Sequence, residues 1–283
     1  MVLFKKITQL QQYLAKAVTT GQQIGFVPTM GALHEGHLQL VKQSLQTTQL
    51  TVCSIFVNPT QFNDANDFDK YPITLEADIE CLEQQGCHVL FIPSVQEMYP
   101  TGVQASQHYP LGNLENVLEG AFRPNHYQGV CQVVHRLLDI VQPHQLFLGQ
   151  KDFQQCMVLQ WLVDFLALPT QIHIVPTVRN TQGLALSSRN TRLTEPQQQQ
   201  ALAIYQNMAW LKTQLKPGKL TALTEHIKTN LLAAGFEKID YVAICEPTTL
   251  TEVQEWDGQT NLVVLVAAFL HGVRLIDNEY ITI

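Results

Sequence analysis

Over about the first 175 residues, apolar positions follow two periods that take turns along the chain. Residues 24–28, 51–57, 88–92, 145–148 and 172–175 are short, largely apolar runs, the pattern of strands buried on both faces. The intervening stretches change to helical spacing. Residues 37–46 place Leu38, Val41 and Leu45 on one face. Residues 74–85 place Leu75, Ile79 and Leu82 in register, with Gly86 as a stop. Residues 130–141 carry a stripe of Val130, Val133, Val134, Leu137 and Val141, with Pro143 beyond it, and residues 153–166 form a strongly apolar helix. Strands alternating with helices predict an α/β fold with a doubly wound, mostly parallel sheet. Ligands of such sheets sit beyond the carboxyl ends of the strands. Attention therefore falls on the segments at those strand ends: PTMGALHEGH, NPTQFN, PS, GQKD and PTVRN.

After about residue 178 the pattern changes. A long helix is predicted over 195–214, introduced by Thr194 as N-cap and Pro196 in its first turn, and broken by Pro217 and Gly218. A second helix covers 220–234 and stops at Gly235, and strands come next at 241–245, 262–270 and 272–276. This predicts a smaller α+β domain over 178–283, after a first domain over 1–177. The glutamine run 197–200 reads as a solvated helix face.

Composition narrows the class. The 283 residues exceed the usual size of one core, and 46% hydrophobic with 14% charged residues fits a folded enzyme. No apolar run is long enough to span a bilayer, and the N-terminus lacks the apolar core of a secretory signal, so no membrane association and a cytoplasmic location are expected. None of the six cysteines forms a C-x-x-C pair, and they are expected to be small buried hydrophobes. A net charge of −7 argues against a nucleic-acid surface, but not against an anionic small molecule held by a few cations and helix N-termini.

Four segments carry candidate chemistry. In Met30-Gly31-Ala32-Leu33-His34-Glu35-Gly36-His37, between a strand and a helix, two histidines three residues apart can donate to an anion at the helix N-terminus. The spacing differs from the H-E-x-x-H of zinc proteases, and the chain has neither G-x-x-x-x-G-K-[ST] nor G-x-G-x-x-G. Gly183-Leu184-Ala185-Leu186-Ser187-Ser188-Arg189-Asn190 offers hydroxyls and a guanidinium to phosphate. Gly149-Gln150-Lys151-Asp152 offers Lys151 to phosphate and Asp152 to a helix cap or a ribose, with Gln155 one turn on. In Asn58-Pro59-Thr60-Gln61-Phe62-Asn63, the amides of Asn58 and Gln61 suit hydroxyl and carboxylate groups, although Asn-Pro also opens ordinary turns.

In this order PTMGALHEGH, FVNPTQF, FRPNHYQGV, GQKDFQQ and GLALSSRN resemble the pantoate–β-alanine ligase family, and the likeness covers nearly the whole chain. The first segment is similar to the HIGH motif of the wider nucleotidyltransferase superfamily, and GLALSSRN stands where that superfamily has its KMSKS loop. The resemblance implies a Rossmann-like first domain for nucleotide and pantoate, a second domain acting as a lid, and a homodimer. It also implies ATP and Mg²⁺, with pantoyl adenylate as intermediate. Carried over by residue, Met30 to His37 hold ATP, and His37 is the proton donor, with His34 and Lys151 beside it in catalysis. Gly149, Gln150, Lys151, Asp152, Val178, Leu186, Ser187, Ser188 and Arg189 complete the ATP site. Gln61 and Gln155 bind pantoate, with Gln61 also near β-alanine; Arg123 belongs to a wall over the site, and Asp78 is a candidate for orienting Mg²⁺. Leu186 stands where the family commonly has Met, and Gln150 where it frequently has Glu. Another adenylyl transferase would be told apart at Gln61 and Gln155, since a phosphate acceptor calls for Lys or Arg there. A nucleotide-binding module would have little use for His34, His37, Lys151 and Arg189 together.

Overall fold

The computed structural model describes residues 1–62, 71–103 and 107–283; Asn63 of the NPTQFN segment lies outside these. The chain divides into two compact units, Met1–Gly149 with Gln155–Pro176, and Gln150–Gln154 with Thr177–Ile283.

The first unit is built on six parallel strands: β1 (Val2–Phe4), β2 (Ile24–Thr29), β3 (Leu50–Ile55), β4 (Val89–Phe91), β5 (Gln145–Gly149) and β6 (Gln171–Val175). Their order is β1-β4-β3-β2-β5-β6, every neighbouring pair being parallel. Among the described residues the longer helices between them are α1 (Ile7–Thr19), α2 (Glu35–Thr47), α3 (Leu75–Gln85), α4 (His126–Val141) and α5 (Phe153–Phe165). Successive strand residues point to opposite faces, and two cores result from that alternation. Phe26, Val52, Phe91 and Leu146 join α4 and α5 residues in the larger core, whereas Val27, Cys53, Leu90 and Phe147 join Leu40, Val41 and Leu82 of α2 and α3 in the smaller. The doubly wound α/β sheet predicted from the pattern is therefore the observed one.

Two elements at the N-terminus, β1 and α1, do not stand out in the apolar pattern. β1 pairs with β4 from Val2↔Val89 to Phe4↔Phe91 and forms one edge of the sheet. α4 begins at His126, a turn earlier than the apolar stripe, after Asn125 in the left-handed region. β3 ends at Ile55, before the expected 57.

In the second unit, β7 (Lys238–Cys245), β8 (Leu262–Leu270) and β9 (Val273–Ile281) form an antiparallel sheet in the order β9-β8-β7, with helices α6 (Glu195–Gln214) and α7 (Thr221–Ala233). Leu202, Met208 and Leu211 of α6 share its core with Val264, Val266 and Leu275. β9 runs five residues past the expected 276. The polar Asp277 and Asn278 end the apolar run in sequence but not the strand, because both are buried and bonded inside the unit. Thr194 caps α6 in a capping box with Gln197. The glutamine run is more than a solvated face. Gln198 donates to the carbonyls of Asn190 and Leu193, at 3.3 and 3.2 Å, and so ties the preceding loop to the helix.

Five of the six free cysteines are buried, and Cys81 is partly accessible. Among the described residues no helix is long and apolar enough to cross a membrane.

Candidate active site

Strand order reverses between β2 and β5: β3 and β4 continue outward from β2, whereas β6 continues from β5. Such a reversal opens a crevice at the strands' carboxyl ends. The chain leaves β2 at Thr29 into the two-histidine loop, and leaves β5 at Gly149 into Gln150, Lys151 and Asp152.

The loop after β2 is held by one buried carboxylate. Asp78, on the first turn of α3, is 3% exposed. Its Oδ2 accepts the Ala32 N–H at 2.9 Å, and its Oδ1 accepts the Leu33 N–H at 2.8 Å and the Thr74 hydroxyl at 3.1 Å. Hydrogen bonds to an ionised acceptor contribute about 1.5–3 kcal/mol each, so this is a firm clamp. Gly31 has φ +83°, and a Cβ there would lie 3.0 Å from Asp78 Oδ2, so the clamp requires glycine. The family resemblance implies that Asp78 orients Mg²⁺. Its surroundings give it another task, since both oxygens hold loop backbone. Among the described residues no group of three or more His, Cys, Asp and Glu side chains could hold a metal ion.

His34 is the N-cap of α2. Its Nδ1 accepts the Gly36 N–H at 3.1 Å, while the His34 N–H donates to His37 Nδ1 at 3.3 Å. In a neutral ring an Nδ1 that accepts places the proton on Nε2. The two rings lie 4.1 Å apart, so two Nε2–H donors stand side by side at a helix N-terminus. A Cβ on Gly36 would come within 2.8 Å of His34 Cε1, which explains a glycine in the first turn of a helix.

The turn Pro59–Gln61 comes after β3. Gln61 Nε2 donates to Met30 Sδ at 2.9 Å, which brings this amide to the histidine loop. Asn58, expected to meet substrate directly, is 1% exposed. It donates to Gly129 O at 3.2 Å and Gln61 Oε1 at 3.3 Å, and accepts from the Tyr99 hydroxyl at 2.9 Å. Its amide is fully engaged in shaping the turn, so it positions Gln61 from behind. Arg123 has a similar place. It meets Glu119 at 3.8 Å and His126 Nε2 at 3.1 Å, and His126 Nδ1 donates to the Gln61 carbonyl at 2.7 Å. Gln155 is half-buried on the first turn of α5.

The other candidate segments belong to the second unit. Lys151 Nζ lies 3.6 Å from Asp152. Val178 accepts the Leu186 N–H at 3.0 Å, and Arg179 and Ala185 form an antiparallel bridge, so Val178 and Leu186 sit on one short hairpin. Ser187 then caps the turn Ser188–Arg192, its hydroxyl accepting the Arg189 N–H at 3.2 Å. The hairpin is anchored by residues that sequence reasoning missed. Arg179 makes a two-pronged pair with Asp277, at 2.5 and 3.0 Å, donates to the Gly183 carbonyl at 3.2 Å, and lies 4.6 Å over the Tyr205 ring. Gly183 has φ +107°, and any Cβ there would strike that ring. Burial pushes the Asp277 carboxyl up, while Arg179, the Asn278 N–H and the charge of Lys151 oppose the shift. Asn278 donates to the carbonyls of Gln150, at 2.9 Å, and Lys151, at 2.8 Å, and accepts from Gln150 Nε2 at 3.2 Å. The available signal was a pair of adjacent polar residues, Asp277 and Asn278, directly after Leu275 and Ile276.

Comparison with known proteins bears on this arrangement. The family description pantoate-β-alanine ligase matches residues 2–280. The chain belongs to this family. Two relatives are the pantothenate synthetases of Pseudomonas paraeruginosa, 46% identical over 276 residues (97% of this chain, 96% of the relative), and of Cytophaga hutchinsonii, 41% identical over 280 (98% of each). The crystal structure of pantothenate synthetase from Thermus thermophilus is similar, with a TM-score of 0.88, 37% identity and 99% of each chain covered. The Francisella tularensis pantoate-β-alanine ligase, complexed with β-γ ATP and β-alanine, gives a TM-score of 0.80 at 35% identity, covering 99% of this chain and 97% of that one. Members of the pantoate–β-alanine ligase family are ligases, and this chain matches the family over residues 2–280.

Proposed function

We propose that this chain joins (R)-pantoate to β-alanine, using ATP and releasing AMP and pyrophosphate. The observation that carries the reading is the histidine pair at the N-terminus of α2, both Nδ1 atoms tied to backbone so that each neutral ring carries its proton on Nε2. In the first step a pantoate carboxylate oxygen attacks the α-phosphorus of ATP; the bond to the bridging oxygen breaks, and pyrophosphate leaves. In the second the amine of β-alanine attacks the acyl carbonyl of pantoyl adenylate, loses a proton, and AMP leaves. Negative charge grows on phosphate oxygens in the first step. Nε2 of His34 and His37 meets it, His37 serving as proton donor, with Lys151, Ser187 and Arg189 as further partners. Met30 to His37, Gly149 to Asp152, Val178 and Leu186 to Arg189 hold the nucleotide. Gln61 and Gln155 bind the hydroxyls and carboxylate of pantoate. The thioether of Met30 is a weak acceptor for Gln61 Nε2, so a substrate oxygen replaces it readily.

Mg²⁺ enters as the counter-ion of ATP, held by phosphate oxygens, which suits a cation that keeps most of its water. Asp78, with both oxygens on loop backbone, is not assigned to it. The first unit is the nucleotide- and pantoate-binding part and the second the lid; the enzyme works in the cytoplasm as a homodimer. The edge strand β6, with Ile174 exposed, and the exposed Phe165 stacked on Trp161 support an interface in the first unit.

The test is pyrophosphate release from Mg-ATP with β-alanine withheld. Pantoate-dependent pyrophosphate, then AMP and pantothenate on adding β-alanine, is expected. A folded, ATP-binding protein that releases no pyrophosphate with pantoate would overturn the reading.

A further inference from the structure

Both phosphate-binding segments of the second unit are tied to two consecutive residues of β9. Asn278, 1% exposed, holds the Gln150 and Lys151 carbonyls, fixing the backbone from which Lys151 projects. Asp277, 5% exposed, holds Arg179, which in turn bonds the Gly183 carbonyl in the turn of the hairpin that leads into Ser187 and Arg189. The Asn278 N–H donates to Asp277 Oδ1 at 2.8 Å, so the two anchors are themselves joined. Gln150 and Asn278 are 128 residues apart in sequence, and Arg179 and Asp277 are 98 apart. A buried charge and a buried amide inside a strand are destabilising unless fully partnered. Here their partners all lead to the two segments that carry Lys151, Ser187 and Arg189.

We propose that Asp277 and Asn278 are positioning residues for adenylation: together they set the Lys151 turn and the Ser187–Arg189 hairpin in one register, so that both meet the same triphosphate. The proposal rests on the nucleotide reading above. It accounts for Gln150 as well, whose Nε2–H reaches Asn278 Oδ1 in a way a carboxylate could not.

The experiment compares wild type, Asn278→Ala and the isosteric Asp277→Asn, each with and without Lys151→Ala. Three readouts are taken: ATP affinity by calorimetry without pantoate, pantoate-dependent pyrophosphate release, and thermal melting. Asn278→Ala is expected to lower kcat about 10²-fold with KM for pantoate unchanged, as displacement of a catalytic group by about 1 Å does. It should also weaken ATP binding about tenfold. Asp277→Asn should lower kcat about tenfold in a folded protein. In the Lys151→Ala background Asn278→Ala should change the rate less than about threefold, since its effect runs through that side chain. Wild-type kcat and ATP affinity in both folded variants would overturn the proposal. So would an Asn278→Ala loss repeated in full without Lys151, or loss of the fold in both variants. If wild type binds ATP but releases no pyrophosphate, the ligase reading fails, and the affinities alone still decide whether this pair organises the nucleotide segments.

Discussion

The histidine loop of the first unit and the Lys151–Arg189 machinery of the second are held by opposite strategies. The loop backbone is positioned largely by its own neighbourhood: Thr29 Oγ1 accepts the Gly31 N–H, His34 caps its own helix, and the His34 N–H donates to His37 three residues on, with Asp78 reaching in from α3. In the second unit the residues proposed to meet phosphate depend on a distant strand, through Asp277 and Asn278. Neutral donors can be aimed by short-range backbone geometry. Cationic side chains on two separate segments need a common anchor, and a rigid strand supplies it.

The largest effect should come from the cation itself. Lys151→Ala is expected to lower adenylation about 10²–10³-fold, the range for removing one charge-stabilising donor, with the melting temperature little changed; pantoate-dependent pyrophosphate release measures it. Retained wild-type turnover would place the phosphate charge on the first unit alone. Next is Asp78→Asn. An amide nitrogen facing the Ala32 or Leu33 N–H opposes donor to donor, and the loop shifts; a loss of roughly 10²-fold in kcat/KM for ATP is expected. Unchanged kinetics would show that the loop holds without its clamp. Gly36→Ala separates activity from stability. Alanine favours a helix over glycine by about 1 kcal/mol, yet its Cβ would displace the His34 ring. Activity should fall about tenfold while thermal stability is maintained or rises, and a parallel loss of both would contradict the assigned reason for the glycine. The smallest effect on activity is expected at Glu246. Burial raises the affinity of its carboxyl for a proton, but the Thr248 hydroxyl and the Thr248 and Thr249 N–H groups outweigh it and hold the pKa at about 2, below its usual 4.5. A depressed carboxylate contributes stability that is present above pH 4.5 and lost as pH falls toward 2. Glu246→Gln should flatten acid unfolding in that window and leave turnover at neutral pH unaltered.

The same contrast governs what could be read from the sequence. The parallel sheet was legible because its strands are buried on both faces and its helices carry clean apolar stripes. Helix α6 was legible at both ends because Thr194 and Pro196 mark its start and Pro217 and Gly218 lie just beyond its end. The histidine loop was legible because its chemistry is contained in eight consecutive residues. β9 extends beyond 276 because paired polar side chains lie comfortably inside a strand, although hydropathy scores Asp277 and Asn278 as a break. Asn58 and Asp78 stand out for the right reason, a polar group near a strand end. Their tasks depend on Tyr99, Gly129, Ala32 and Leu33, partners that only the folded chain brings near. Arg179 lies in the PTVRN segment at a strand end, but its task is not legible because nothing adjacent to it in sequence hints at a carboxylate 98 residues away.

The uneven burial of the cysteines has a practical consequence. A neutral-pH alkylating reagent meets one partly accessible thiol, Cys81, and five inside the fold. Cys81 lies on α3, three residues after Asp78 and so about one turn away. A single fluorophore attached there, with no engineered cysteine, would stand beside the clamp of the histidine loop and report in real time, through its emission, on the arrival of nucleotide.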